Sequence, residues 1–297
     1  MLPHKAPSTQ RAERTYLDFW ERKLGAYALS YIDPDRINET LAELSCAGDG
    51  RRKDEGGEPA SRPLGRKTLK HYRDTLALLF KHAEKWGWTG SNLVEGVTPI
   101  TKLRNERVRY LDEDERRRLL DACRQSTNPQ LYTIVVFALS TGARKGEILN
   151  LTLDDVDLSR GRAVLRDTKN GETRAVPLVG HALDLLNEHV PQVRAQYNAM
   201  PSAPKQRWLF PGRDGRNPVD IRTAWENARK RAGITDFRFH DLRHSTASYL
   251  AMQGANPMEI AEVLGHRTMQ MVKRYSHLSE GHVRGLVEGL DNSLFER

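Results

Sequence analysis

LYTIVVFALSTGARKGEIL, residues 131–149, is the stretch on which the architecture of this 297-residue chain turns. Its first part, LYTIVVFALS, is apolar almost throughout, which predicts a helix buried in a core. Leu131 to Leu139 is too short to cross a bilayer of ~30 Å, so that core is protein and not lipid. Gly142 stops the helix, and Arg144 starts the next element, a way of aiming a guanidinium out of a core. Taken alone, the same residues fit a C-cap followed by a surface Arg144–Glu147 pair at i,i+3. Three strand-like runs follow, around Val156–Leu158, Ala163–Leu165 and Thr173–Val176. The last two are joined through Lys169-Asn170-Gly171, whose Asn-Gly pair is a hairpin signal. From Leu178 the chain is again mostly helical. Asn256-Pro257-x-Glu259 opens one helix and Gly265 closes it.

Working back from residue 131, Asp112 with Glu115 three residues on is a capping box. Val97–Arg109 has little periodicity and several basic residues, and it reads as a linker. The first half is helical. Thr15–Lys23 is a short amphipathic segment, and Pro34–Leu44 places Ile37, Leu41 and Leu44 at helical spacing. Residues 46–65, CAGDGRRKDEGGEPASRPLG, read as a flexible loop rich in Gly, Pro and charge. Arg66–Trp86 is a long helix with Leu69, Tyr72, Leu76, Leu79 and Ala83 as its apolar stripe. The fold class is therefore mostly α with a small antiparallel β-sheet. It divides into a helical domain, 1–106, and a second domain, 107–297.

The charge balance narrows the class of function. The chain carries 47 Lys and Arg against 39 Asp and Glu, a net charge of +8. Residues 1–106 hold 18 of those cations and 15 of the anions. The excess is thus spread over both halves, which favours a surface that wraps a polyanion over a basic tail. Lys67, Lys70, His71, Arg73 and Lys81 lie mainly off the stripe of their helix. They read as a solvated basic face or, more pointedly, as phosphate contacts flanking a groove, with Arg66, Lys67, Lys70 and Arg73 the candidates for DNA binding. Cys46 and Cys123 form no CxxC pair, against both a disulfide framework and a cysteine zinc site. MLPHKAPSTQRAERT at the start lacks a signal-peptide core, so a cytoplasmic location without membrane association is expected.

The chemistry sits in scattered cations, histidines and a tyrosine. In His240-Asp241-Leu242-Arg243-His244, His240 and Arg243 share a face in the first turn of a helix, where backbone N–H groups also favour anions. His240 and His244 have metal-ligand spacing, but an adjacent guanidinium opposes a cation there, and His244 reads as a packed or capping residue. Leu264-Gly265-His266 follows, and then Tyr275. Singly, each has an ordinary structural explanation.

In chain order, Arg144, Lys169, His240, Arg243, His266 and Tyr275 closely resemble the tyrosine recombinase (phage integrase) family. ALSTGARKGEIL, the Lys169 hairpin, HDLRH, LGH and KRYSHL carry the resemblance, which covers essentially all of 107–297. Over 1–106 it rests on a helical domain of the right size. The family commonly has Thr where this chain has Met271.

The resemblance implies a C-shaped clamp on double-stranded DNA, made of a core-type DNA-binding domain and a catalytic domain. Tyr275 would attack a phosphodiester to give a 3′-phosphotyrosine, and a second 5′-hydroxyl would then reseal the strand. Arg144 and Arg243 would hold the non-bridging oxygens. Lys169 would be the general acid, His240 would assist as base, His266 would donate a hydrogen bond to the phosphate, and Glu147 would orient the arginines or the histidine. Such a set asks for no metal and no cofactor, and no GxxxxGK[ST] loop for ATP occurs.

The resemblance further implies four protomers on two DNA sites, and it allows for accessory DNA-bending proteins. The tail, Glu280–Glu296, places Val283, Leu286 and Leu290 at helical spacing. It either packs on its own domain or is donated in trans to a neighbour. About a dozen residues precede the first helix, leaving no separate arm-binding domain there. The leading expectation is integration or excision of a mobile element. The alternatives are a chromosome-dimer resolving recombinase, a topoisomerase using the same chemistry, and a non-cleaving DNA-binding regulator of the same fold.

Overall fold

The helices begin at Pro7 and end at Phe295 in a computed structural model that describes residues 4–49, 63–101, 109–166, 173–202, 204–266 and 268–295, apart from the side chains of residues 8, 279, 280 and 283. Most of the loop expected at 46–65, most of the linker expected at 97–109, the Lys169 turn and the side chain of Val283 lie outside the described residues. The chain forms two units, Met1–Asn105 and Glu106–Arg297.

The first unit is built on α1 (Pro7–Leu24), α2 (Pro34–Ala47) and α3 (Arg66–Lys85). Helix α1 starts well before Thr15, with a proline in its first turn, where the missing N–H costs nothing. Asp33 caps α2 by accepting from the Arg36 amide at 2.8 Å. Phe19, Trp20, Ile37, Leu44, Tyr72, Leu76 and Phe80 form the core. The Trp20 indole N–H donates to the Tyr72 carbonyl at 2.9 Å, so that buried donor is paired. One stripe residue of α3 is corrected. Leu79 is 39% exposed, and Phe80 takes the buried place at 1%. The face runs 69, 72, 76, 80, 83, and Phe80 continues it one full turn beyond Leu76.

In the second unit, Asp112 and Glu115 form the capping box of α4 (Glu113–Arg124). Helix α5 (Leu131–Thr141) is buried on nearly every side, with Leu131, Ile134, Val135, Phe137 and Ala138 at 0% exposure. Burial of Leu131, Ile134, Val135 and Phe137 contributes about 1.5–3 kcal/mol for each side chain. Helix α6 (Lys145–Leu149) follows. Then β1 (Val156–Asp157), β2 (Arg162–Arg166) and β3 (Thr173–Pro177) make an antiparallel sheet in the order β1-β2-β3. Its register pairs Ala163 with Val176 and Leu165 with Arg174.

Helices α7 (Gly180–Asn198), α8 (Arg222–Arg231) and α9 (Asp241–Met252) close the main core around α5. Helix α10 (Pro257–Leu264) is opened by the Asn256–Glu259 capping box and ended by Gly265 in the left-handed region, as its sequence predicts. It packs with α11 (Gln270–Lys273) in a smaller core of Ala247, Ala251, Ile260, Leu264, Val272 and Tyr275. The last helix, α12 (Glu280–Phe295), leaves Leu286, Val287, Leu290, Leu294 and Phe295 56–67% exposed. Packing of Leu286 and Leu290 onto their own domain is therefore not what the structure has. Among the described residues, no helix is long and apolar enough to cross a membrane.

Candidate active site

The turn after α5 positions two arginines at once. Gly142 has φ +62°, and a Cβ there would meet Leu264 Cδ2 at 2.2 Å, so no other residue fits this turn unstrained. Its carbonyl accepts from Arg243 Nη1 at 2.8 Å, tying α9 to the turn. Two residues on, Arg144 enters α6. Glu147 accepts both the Arg144 amide, at 2.9 Å, and its Nη1, at 2.6 Å.

Glu147 is 8% exposed and also holds Arg174, whose Nη2 donates at 3.0 Å. Burial pushes the Glu147 carboxyl up, but the hydrogen bonds from Arg174 and Arg144 outweigh it and hold the group below its usual range. It is a fixed anion behind two fixed cations. Sequence reasoning missed Arg174, although β3 carried the signal. Period-two alternation puts Arg174 on the face of Val176, which is 3% exposed and points into the core.

Arg243 is 3% exposed. Burial first, and the guanidiniums of Arg144 and Arg174 second, push its pKa down to about 9. The three cations therefore share one locus, which costs free energy without an anion between them. Arg243 Nη2 is buried with no hydrogen-bond partner among the described residues, as is Nδ1 of His266. These are donors of the kind a phosphate accepts from.

The histidines divide between two neighbours. His240, the N-cap of α9, has its pKa lowered by burial and then by Arg243. His266 is lowered to about 3 by burial, then by Arg243 and Arg144. His244 is lowered to about 4 by burial and then by His240. All three are neutral near pH 7. Tyr275 is 1% exposed, and burial raises its pKa against the opposing pull of Arg274 and Arg243.

The phenol oxygen of Tyr275 is hydrogen-bonded to His244 Nδ1 at 2.5 Å. His244, which the sequence leaves as a packed or capping residue, is thus the imidazole in contact with the phenol. The cause is the helix. One turn separates the two rings, whose centroids are 5.2 Å apart, and only the second overlies the segment after α11.

Arg144, Glu147, His240, Arg243, His266 and Tyr275 are thus brought together, joined by Arg174 and His244. Lys169 lies outside the described residues. No group of three or more His, Cys, Asp or Glu side chains that could hold a metal occurs among the described residues. Met271 is 36% exposed. On α3, Arg66 and Lys67 are exposed, and Lys70 pairs with Asp74 at 2.5 Å. Arg73 is half-buried and donates to the Val94 carbonyl at 3.2 Å, so it is tied into its own unit.

A helical unit with a small antiparallel sheet, arginines from two helices and a strand converging beside a buried tyrosine, defines the class: residues 109–282 match the phage integrase family, and the chain belongs to it. Its sequence is 32% identical over 212 residues to the integrase of Salmonella phage P22, covering 65% of this chain and 51% of that protein. It is 36% identical over 224 residues to a shufflon-specific DNA recombinase of Escherichia coli, covering 73% and 52%. The chain thus spans about half the length of these relatives. Among solved structures, the Tn1549 transposon integrase in complex with transposon right end DNA has the same fold. The TM-score is 0.71 at 18% identity, over 97% of this chain and 95% of that one.

Proposed function

We propose that the chain is a site-specific tyrosine recombinase of a mobile element, cutting and rejoining double-stranded DNA through a 3′-phosphotyrosine. The observation that carries this is the convergence of Arg144, Arg174 and Arg243 beside the Tyr275 phenol, with buried donors on Arg243 and His266 left for an anion. As a histidine of α9 takes the phenolic proton, the Tyr275 oxygen attacks phosphorus, and the bond from phosphorus to the 5′-oxygen breaks with its electron pair going to that oxygen. The arginines absorb the charge on the non-bridging oxygens. His266 donates to the same phosphate, and Lys169 returns a proton to the leaving 5′-oxygen. A 5′-hydroxyl then attacks the phosphotyrosine. One phosphodiester replaces another through an ester of similar energy, so no nucleotide cofactor is required.

Residues 1–106 supply further phosphate contacts through Arg66, Lys67 and Lys70. Four protomers on two duplex sites complete the exchange. The exposed apolar side chains of α12 support its donation to a neighbouring protomer. The relatives, a phage integrase and a shufflon recombinase, support a mobile-element role.

The test is a labelled random-sequence duplex pool, incubated with the protein and probed for a covalent adduct that survives denaturation. Wild type should form it and Tyr275→Phe should not. An adduct of equal yield in the Phe variant refutes Tyr275 as nucleophile.

A further inference from the structure

Glycine at 265 is needed on two counts. Its φ is +65°, the left-handed conformation that ends α10, and a Cβ there would lie 2.8 Å from Arg174 Cδ and 3.0 Å from both Nε and Nη1. A side chain of β3 thus occupies the space that a residue at 265 would need. The turn it packs on is the one that delivers His266. The Gly265 amide donates to the Glu262 carbonyl at 3.1 Å and the His266 amide to the Ala261 carbonyl at 2.8 Å, which closes the helix and sets where His266 leaves it. One residue earlier, Leu264 is wholly buried against Gly142.

Arg174 is held at its other contact by a carboxylate. Nη1 and Nη2 both donate to Glu147, at 3.3 and 3.0 Å, and Glu147 also accepts from the amide and Nη1 of Arg144. The fork of the two Nη groups is therefore taken, and Nε is buried at the turn with no hydrogen-bond partner among the described residues. Burial and then Arg144 depress the pKa of Arg243 most, and the charge of Arg174 depresses it further. A third cation so placed carries an electrostatic cost. What it supplies in return is a rigid plane that touches two elements at once. We propose that Arg174 is a positioning residue, which fixes His266 relative to Arg144 by bridging Glu147 and the Gly265 turn. This rests on the reading of Arg144 and His266 as ligands of the phosphate and deepens it.

Lysine at 174 separates position from charge. It keeps a cation beside Glu147 and gives up the flat guanidinium over Gly265. The test is a double-mutant cycle in single-turnover adduct formation, on duplexes recovered by covalent capture from a random pool. Arg174→Lys should slow the reaction by about 10²-fold, the effect of a misplacement of about 1 Å, with DNA affinity unchanged. In His266→Asn the same replacement should cost at least about tenfold less, because the distance it fixes no longer matters. Equal costs in the two backgrounds overturn the proposal. A purely structural role reads differently. It lowers the fraction of protein that reacts and leaves the rate constant of that fraction alone, and this outcome overturns the proposal as well.

A second measurement needs no DNA. Side-chain nitrogen NMR of the whole protein should show the His266 ring resonances moving in Arg174→Lys, and unmoved resonances overturn the assignment. An adduct of undiminished yield in Tyr275→Phe sinks the reading of the nucleophile instead, and leaves Arg174 to stand or fall by the cycle and the NMR. If wild type forms no adduct, the functional reading fails, and the His266 resonances alone decide whether Arg174 places that ring.

Discussion

Three uncharged imidazoles crowd against three guanidiniums in this site, and the pH dependence of folding follows from that. His244 and His266 have folded pKa values of about 4 and about 3. An unfolded histidine titrates near 6.5. Between those values the unfolded chain binds more protons, so the two residues contribute stability that is fully present above about pH 6.5 and is lost as pH falls toward 4 and then 3. Denaturant melts of the whole chain should lose up to about 1.4 kcal/mol per pH unit for each histidine in that window. His266→Asn should flatten the slope, and an unchanged slope would mean that this imidazole protonates freely in the folded state.

The order Arg144, His240, Arg243, His266, Tyr275 was legible in the sequence because each residue sits in a motif with its own local grammar. Arg174 and His244 were not. Arg174 becomes a site residue only through the strand register that turns it onto Glu147. His244 does so only through the packing of α9 on the segment that carries Tyr275.

At the scale of elements, the αL turn between α5 and α6 does most of the aligning. Gly142 lets the chain reverse, its carbonyl holds Arg243, and its missing Cβ makes room for Leu264 of α10. Gly142→Ala should cost more than about 1 kcal/mol in a thermal melt, because the left-handed conformation and the clash with Leu264 add. It should also slow adduct formation by displacing Arg243. A melt like that of wild type would show that α10 moves aside at little cost. Helix ends were readable from caps, as at Asp112 and Asn256, since a cap is a short-range hydrogen bond. Which face of α3 goes inward was less so, as the exchange of Leu79 for Phe80 shows. Both residues are apolar, and only the neighbouring α1 and α2 decide between them.

For the whole molecule, each unit holds its own hydrophobic core, and α12 belongs to neither. Its exposed leucines contribute little to folding in cis. A chain ending at Ser279 should therefore melt within a degree or two of the full chain, and should sediment as a monomer wherever the full chain self-associates. A large fall in melting temperature would place α12 in the fold of its own protomer. The exposure of α12 was not legible in the sequence, because a spacing of Leu286 and Leu290 fits a partner in cis or in trans equally.

The point where the chain enters the catalytic unit is bolted to the helix that matters. The Leu111 amide donates to Ser245 Oγ at 3.0 Å, and its carbonyl accepts from the Tyr249 hydroxyl at 3.0 Å, with Leu111 itself wholly buried. Both partners lie on α9, the helix that carries Arg243 and His244 and is capped by His240. Displacing Leu111 would therefore be felt first by the rod on which the reacting groups are mounted.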